Sequence, residues 1–291
     1  MKIGVIVNPI SGGGSAVSFI PEIKKQVAGI TELVVTRKSG EATLAAESFS
    51  RSGFDFIIVA GGDGTLNEAS QGIIGTESVL VPLPFGNGSD FTRSVGRIGI
   101  TGLSEAMKAG QTRKIDTILV EYAGKKIHYI NIMELGFGAL VMKRFNDKRK
   151  LNGNTSFTRH ILAEAERLRT FSAEIFGDSF SFSGDIVECI IANGRYFGRG
   201  LLASPGSSID DGIMDIHIIE KMGKAEFFMK LSKIRNGSYL SDRKVKNYAA
   251  RSLEVATPGI PFEIDGEFIG FSPLRATINP QSLKIMQVPL E

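Results

Sequence analysis

One cysteine, Cys189, stands among 291 residues, inside the run DIVECIIANG. No disulfide can form within the chain, and a buried, unreactive thiol in a reducing, cytoplasmic compartment is expected. Histidine is almost as scarce. His128, His160 and His217 are scattered without metal-ligand spacing, so each is expected to be a core or surface residue. No apolar run approaches the roughly 20 residues of a spanning helix, and the apolar part of MKIGVIVNPISGGG is too short for a secretory signal. Charge of one sign is also lacking. A formal net charge of +3 gives no field for nucleic acid. No G-x-x-x-x-G-K-[ST] occurs, GGGSAV lacks the G-x-G-x-x-G spacing of a dinucleotide fingerprint, and there is no G-x-S-x-G elbow.

What is present is a 42% apolar chain, long enough for one large domain or two ordinary ones. KIGVIVN, TELVVTR, FDFIIVA and SVLVPLP read as strands, nearly continuous in apolar character, as in a parallel sheet covered on both faces. Between them GGGSAVSFIPEIKKQVAGI reads as loop and helix, SGEATLAAESFSRSG as a helix opened by Ser39, and TLNEASQGIIG as a helix. The pattern changes near Lys114. KIDTILVEYAGKKIHYINI predicts two strands turning at Ala123–Gly124. MKRFNDKRKLNGN reads as a basic loop, and SFTRHILAEAERLRTF as a helix with the stripe Ile161, Leu162, Ala165, Leu168. DIVECIIAN, GIMDIHIIE, RSLEVAT, PFEIDGE and SLKIMQV read as β. The expected fold is α/β plus β: an N-terminal open α/β nucleotide-binding domain over 1–114, and a mainly antiparallel β domain over 115–275.

Open α/β sheets bind ligands at the carboxyl ends of their strands. Three glycine-bearing loops fall there: NPISGGG, AGGDGT and PFGNGSD. In AGGDGT, glycines let backbone N–H groups approach phosphate oxygens, and the following helix adds its positive end. A tight turn alone needs only two glycines. Asp63 within an anion cradle is explained if a magnesium ion lies between it and the phosphates, since magnesium takes oxygen ligands and bridges phosphates with few carboxylates.

NPISGGG, GGDGTLNE, PLPFGNGSDFTRSVG, YFGRGLLASPGSSIDDGIMDI and EIDGE, in this order, resemble the diacylglycerol kinase catalytic domain and its bacterial lipid-kinase relatives, a superfamily shared with sphingosine and ceramide kinases. The resemblance spans almost the whole chain. GGDG alone also occurs in NAD kinases. The resemblance implies an α/β nucleotide domain and a β-sandwich domain, with 276–291 returning to the first and catalysis in a cleft between them. It implies ATP and Mg²⁺, with Asn8, Pro9, Ser11, Gly12, Thr36, Gly61, Gly62, Asp63, Gly64, Thr65, Asn67, Gly86 and Asn87 at the nucleotide. Asp265 corresponds to the proton acceptor, with Glu267 beside it. Asp211 corresponds to a magnesium ligand, joined by the backbones of Ser208 and Ile213. Relatives usually read G-T-x-N-D-F where this chain has Gly86-Asn87-Gly88-Ser89-Asp90-Phe91. Asn87 and Ser89 keep hydrogen-bonding groups, but nucleotide choice stays open.

The expected activity is transfer of the γ-phosphoryl group to a lipid hydroxyl such as that of diacylglycerol, at a membrane surface; the chain is cytoplasmic or peripheral, and a homodimer stays open. An NAD kinase-like phosphotransferase and a non-catalytic nucleotide-binding regulator are the alternatives. KAEFFMKLSKIRN sets Phe227, Phe228, Leu231 and Ile234 among Lys224, Lys230, Lys233 and Arg235. A helix packed on the β domain is favoured over one lying on an anionic bilayer.

Overall fold

The computed structural model describes residues 1–27, 29–86, 88–152 and 156–287. The chain divides into two compact units: Met1–Thr117 with Gly198–Gly200 and Asn279–Glu291, and Ile118–Phe197 with Leu201–Ile278. The short piece Gly198–Gly200 within the first unit is not foreshadowed by the sequence pattern.

In the first unit, β1 (Ile3–Val7) is buried along its whole length. The chain continues through α1 (Ile20–Gln26), β2 (Ile30–Val35), α2 (Glu41–Arg51), β3 (Phe56–Gly61), α3 (Asp63–Gln71), β4 (Val79–Pro84), α4 (Asp90–Val95) and α5 (Leu103–Ala109). β1 lies between β2 and β3, all parallel, and β3 pairs β4 in parallel. Each βαβ crossover therefore returns its next loop to one edge of the sheet. Ser39 does not open α2. The N-cap is Gly40 in the left-handed region, and Ser39 Oγ and the Gly40 N–H instead donate to the two Glu68 oxygens at 2.8 and 2.9 Å. Glu68 of α3 thus ties the start of α2 to α3.

The second unit holds β5 (Thr112–Tyr122, entering from the first unit), β6 (Lys125–Tyr129), β7 (Ile132–Gly136), α6 (Phe137–Asn152), α7 (Phe157–Ala165), β8 (Phe171–Gly177) and β9 (Ser181–Ala192). It goes on with β10 (Tyr196–Phe197), β11 (Leu201–Leu202), β12 (Met214–Glu220), α8 (Lys224–Leu231), β13 (Val245–Ala250), β14 (Ser252–Val255), β15 (Pro261–Ile264), β16 (Glu267–Phe271) and β17 (Leu274–Met286). Its sheet runs β16-β15-β7-β9-β8-β14-β17, with β12 pairing β9 and β13, and these pairs are antiparallel. β5 and β6 turn at Ala123 and Gly124, both at positive φ, as the sequence predicts. Alternation sends Met133, Leu135, Cys189, Ile191, Phe262 and Ile264 into one core, and Ile132, Ile190 and Ala192 into another with Ala165, Phe227 and Tyr239. At its far end β17 returns to the first unit, with Ile285 parallel to Leu80.

Two expectations fail here. The basic segment after Met142 is helix, not loop, over its described part: α6 starts at Phe137, upstream of the basic run, and buries Ala139 and Val141. Residues 153–154 of that run lie outside the described residues. In α7 Leu162 is 47% exposed, while Ala165 is buried and Leu168 lies past the helix end. In α8 the packed reading holds for Phe227, which meets Phe137 edge-on at 4.7 Å, while Phe228 and Met229 face outward.

Candidate active site

The three glycine loops of the first unit meet. Asn8, just past β1, donates its N–H to Ala60 O at 3.0 Å and its Nδ2 to Thr65 Oγ1 at 2.7 Å. A Cβ on Gly12 would stand 2.7 Å from Phe85 O, and one on Gly86 would stand 2.7 Å from Gly62 Cα. First loop touches third, and third touches second, backbone on backbone. A side chain at Gly86 would wedge the second and third loops apart, and one at Gly62 would lie against Gly86 Cα at 3.4 Å. Pro9 and Ser11 lie in the first loop, where Ser11 donates its N–H to Asn8 O at 3.2 Å. Thr36, just past β2, is buried, with its N–H on Val7 O at 2.9 Å. Gly61 packs on the Thr65 side chain, and Gly62 is the N-cap of α3. Asp63 and Gly64 therefore open that helix, where amide N–H groups lack intrahelical partners and the dipole favours anions. Asn67 faces along α3 and accepts from Gln71 at 3.1 Å. Asn87 lies outside the described residues.

Asp63 Oδ1 accepts the Phe91 N–H at 3.2 Å. Asp90 lies close by: a Cβ on Gly88 would be 3.1 Å from Asp63 Oδ2 and 3.3 Å from Asp90 Oδ2. Asp90 Oδ2 accepts the Arg199 N–H at 2.8 Å, and Arg93 Nε lies 3.6 Å from Oδ1, which has no hydrogen-bond partner among the described residues. Burial raises the Asp90 carboxyl, against the Arg199 amide, which lowers it, while the Asp63 charge raises it further. Two carboxylates beside an amide-lined groove, one with an orphaned buried oxygen, are a hard oxygen donor set that suits magnesium on a phosphate. Gly198–Gly200 joins the first unit through these contacts: Gly200 sits against the Arg93 guanidinium.

In the second unit EIDGE is a two-residue hairpin between β15 and β16. Asp265 and Gly266 take φ of 47° and 88°, the double positive pattern of a type I′ turn. Gly266 meets this without steric penalty, whereas Asp265 must be held there. Its N–H donates to Ile132 O at 3.0 Å, and its carboxylate accepts the N–H groups of Ile132 at 2.9 Å and Ile130 at 3.3 Å. Glu267 is exposed and accepts from Asn146 Nδ2 of α6 at 3.1 Å. In SSIDDG, Ser208 Oγ donates to Asp210 at 2.8 Å, and Asp211 Oδ1 accepts the Ile213 N–H at 3.1 Å across Gly212. Ser208 and Asp211 are exposed. Among the described residues no three His, Cys, Asp or Glu side chains could share a metal. An ion at this turn would therefore rest on one carboxylate, main-chain oxygens and water, the donor set of magnesium.

The sequence reading missed Glu134, Glu188 and Glu263, each buried in the second unit. Their signal is an acid within an apolar strand run: MELG, VEC and FEI.

A parallel α/β unit with three converging phosphate-type loops, and a β unit carrying a carboxylate on a strained turn, define the class of nucleotide-dependent kinases. The chain belongs to the diacylglycerol kinase catalytic-domain family: residues 2–120 match that domain, and residues 131–287 match the YegS C-terminal NAD kinase beta sandwich-like domain. It is 26% identical to a diacylglycerol kinase of Mycobacterium tuberculosis, over 98% of this chain and 95% of that one. It is 29% identical to a diacylglycerol kinase of Bacillus subtilis, over 92% and 90%, and 27% identical to a probable lipid kinase YegS-like protein of Enterobacter, over 89% and 87%. Among solved structures, a putative diacylglycerol kinase from Bacillus anthracis superposes with a TM-score of 0.78 at 21% identity, covering 99% of this chain and 97% of that one. An NAD kinase from Archaeoglobus fulgidus in complex with ATP shares the fold at a TM-score of 0.55 and 14% identity, covering 99% and 94%.

Proposed function

We propose that this chain is an ATP-dependent lipid kinase that moves the γ-phosphoryl group of ATP to a lipid hydroxyl, with diacylglycerol the leading acceptor. The observation that carries the reading is the backbone contact of Gly62 with Gly86 at the N-terminus of α3, beside Asp63 and Asp90. Phosphoryl transfer depends on positioning and charge neutralisation more than on covalent chemistry by the protein. The glycine loops and the first amides of α3 hold phosphate oxygens, and Asn8, Thr65 and Thr36 frame the groove. Asp63 and Asp90 would hold a magnesium ion, which would neutralise phosphate charge. Asp265 accepts the hydroxyl proton as the acceptor oxygen bonds to phosphorus and the bond to ADP breaks, with Glu267 beside it. Asp211 with the backbones of Ser208 and Ile213 would hold a second magnesium ion, which would stabilise the turn before β12. Among the described residues no helix is long and apolar enough to cross a membrane. On this reading the lipid acceptor is met at a membrane surface.

The test is transfer of labelled phosphate from ATP to total lipid extract, to purified diacylglycerol in mixed micelles, and to NAD as separate acceptors. Label in a lipid product that disappears in Asp63→Asn supports the reading. Label in NAD alone would make the chain an NAD kinase-like enzyme. Nucleotide binding without label in any acceptor would leave a regulator.

A further inference from the structure

Glu134 on β7 and Glu263 on β15 stand directly opposite each other across an antiparallel pair, both at most 5% exposed, which brings their carboxyl groups within reach of a shared hydrogen bond. A hydrogen bond between two carboxyl groups requires a proton between them. Glu188 on β9 lies on the same face, since Gly136 pairs with Glu188 and Glu134 with Ile190. Glu188 Oε2 accepts the Gly138 N–H at 2.6 Å at the start of α6, and its Oε1, in a side chain 3% exposed, has no hydrogen-bond partner among the described residues. The helix end thus answers one of the three acids, and a proton answers the other two.

The pair is wired to the EIDGE turn. Glu263 Oε2 accepts the Gly266 N–H at 2.7 Å, which fixes the second turn residue. Glu134 lies two residues along β7 from Ile132, whose N–H and C=O both bond to Asp265. We propose that Glu134 and Glu263 are a proton-sharing pair of positioning residues that hold the turn carrying Asp265. Loss of the shared proton to a solvent base leaves two opposed buried carboxylates, pushes β15 and β7 apart at this pair, and releases Asp265 from its geometry. This rests on the reading of Asp265 as the proton acceptor.

Burial is the largest influence on both groups. It raises Glu134 to about 7 and Glu263 well above the usual carboxylate range. The titratable groups around the pair are Glu188 of β9, Asp265 of the turn and the buried Tyr239 on the same side, with Tyr129 in the core on the other side of the strands. The cations nearest along α6 are engaged elsewhere: Lys143 lies over the Phe268 and Phe271 rings, and Arg144 pairs with Glu164. His217 of β12 is bonded to Ser204 and Asn247.

The experiment compares wild type with E134Q and E263Q, in which glutamine copies the protonated form. Transfer from labelled ATP to diacylglycerol in mixed micelles is followed across neutral pH. Exchange of the turn amides around Gly266 is followed by mass spectrometry without substrate, corrected for intrinsic rates. In the wild type kcat/KM should fall by up to about tenfold per pH unit once the pair is ionised, and turn protection should fall with it. In both variants the limb and the protection should be displaced upward by about one pH unit or more. Wild-type limbs in both variants would overturn the proposal. If no acceptor is phosphorylated but turn protection follows the pair, the kinase reading falls and the pair stands. If transfer occurs and turn protection is the same at all pH values, the pair falls and the kinase reading stands.

Discussion

Asp265 illustrates how much one carboxylate can be asked to do. Two backbone N–H groups, from Ile130 and Ile132, point at its oxygens while its own backbone sits at a φ of 47°. Asparagine would not replace it without structural loss, since its amide would place an N–H against one of those two donors. Asp265→Asn should therefore lower transfer by roughly 10²–10⁴-fold and also reduce stability by about 1–3 kcal/mol. Urea unfolding alongside label transfer checks both, and a variant with wild-type transfer would make Asp265 only a turn anchor. Asp63 differs, because among the described residues it accepts a single amide, that of Phe91, which an asparagine oxygen can also accept. Asp63→Asn should keep its melting temperature and lose most transfer at saturating Mg²⁺. Wild-type turnover there would remove Asp63 from the mechanism.

At the scale of elements, the loops were legible and their partners were not. Glycine spacing after an apolar strand is a local signal, so NPISGGG, AGGDGT and PFGNGSD could be read directly. That Gly86 rests on Gly62 could not, because the two lie on different strands' loops and touch only in the folded sheet. Gly86→Ala should separate the loops and weaken ATP binding, at a stability cost of about 1–3 kcal/mol from overpacking. Calorimetric titration with ATP measures it, and unchanged affinity would show that the loops yield. α6 was misread for a related reason. Its basic half looks like a solvated loop, while its first turn is held by Glu188, an acid on a strand 50 residues later. Glu188→Ala should destabilise the unit by about 1–3 kcal/mol, with Glu188→Gln recovering most of it through the retained acceptor. Equal losses in the two variants would mean that the Gly138 bond contributes nothing. The acids in MELG, VEC and FEI were visible as anomalies, but which of them face one another depends on the register of β7, β9 and β15.

For the whole molecule, buried titratable groups set how stability follows pH. Glu134, raised from its unfolded value of 4.5 to about 7, binds its proton more tightly when folded. Its contribution is complete below about pH 4.5 and is lost as pH rises through about 7, on the order of 3 kcal/mol. His217 and His128 run the other way. Burial lowers both, so their contribution is complete above about pH 6.5 and is lost as pH falls. Urea midpoints for E134Q should lack the fall between about pH 4.5 and 7, and a curve parallel to wild type would show that Glu134 does not carry it. Cys189 belongs to this same interior: it is fully buried, and burial, reinforced by the Glu188 charge, pushes its thiol far up. The native chain is therefore silent to maleimide chemistry at neutral pH. Cysteines introduced at exposed Leu44, in the first unit, and Phe176, in the second, would be the only sites to take up dye, so a spectroscopic ruler between the phosphate loops' unit and the Asp265 unit could be read without background as nucleotide and lipid are added.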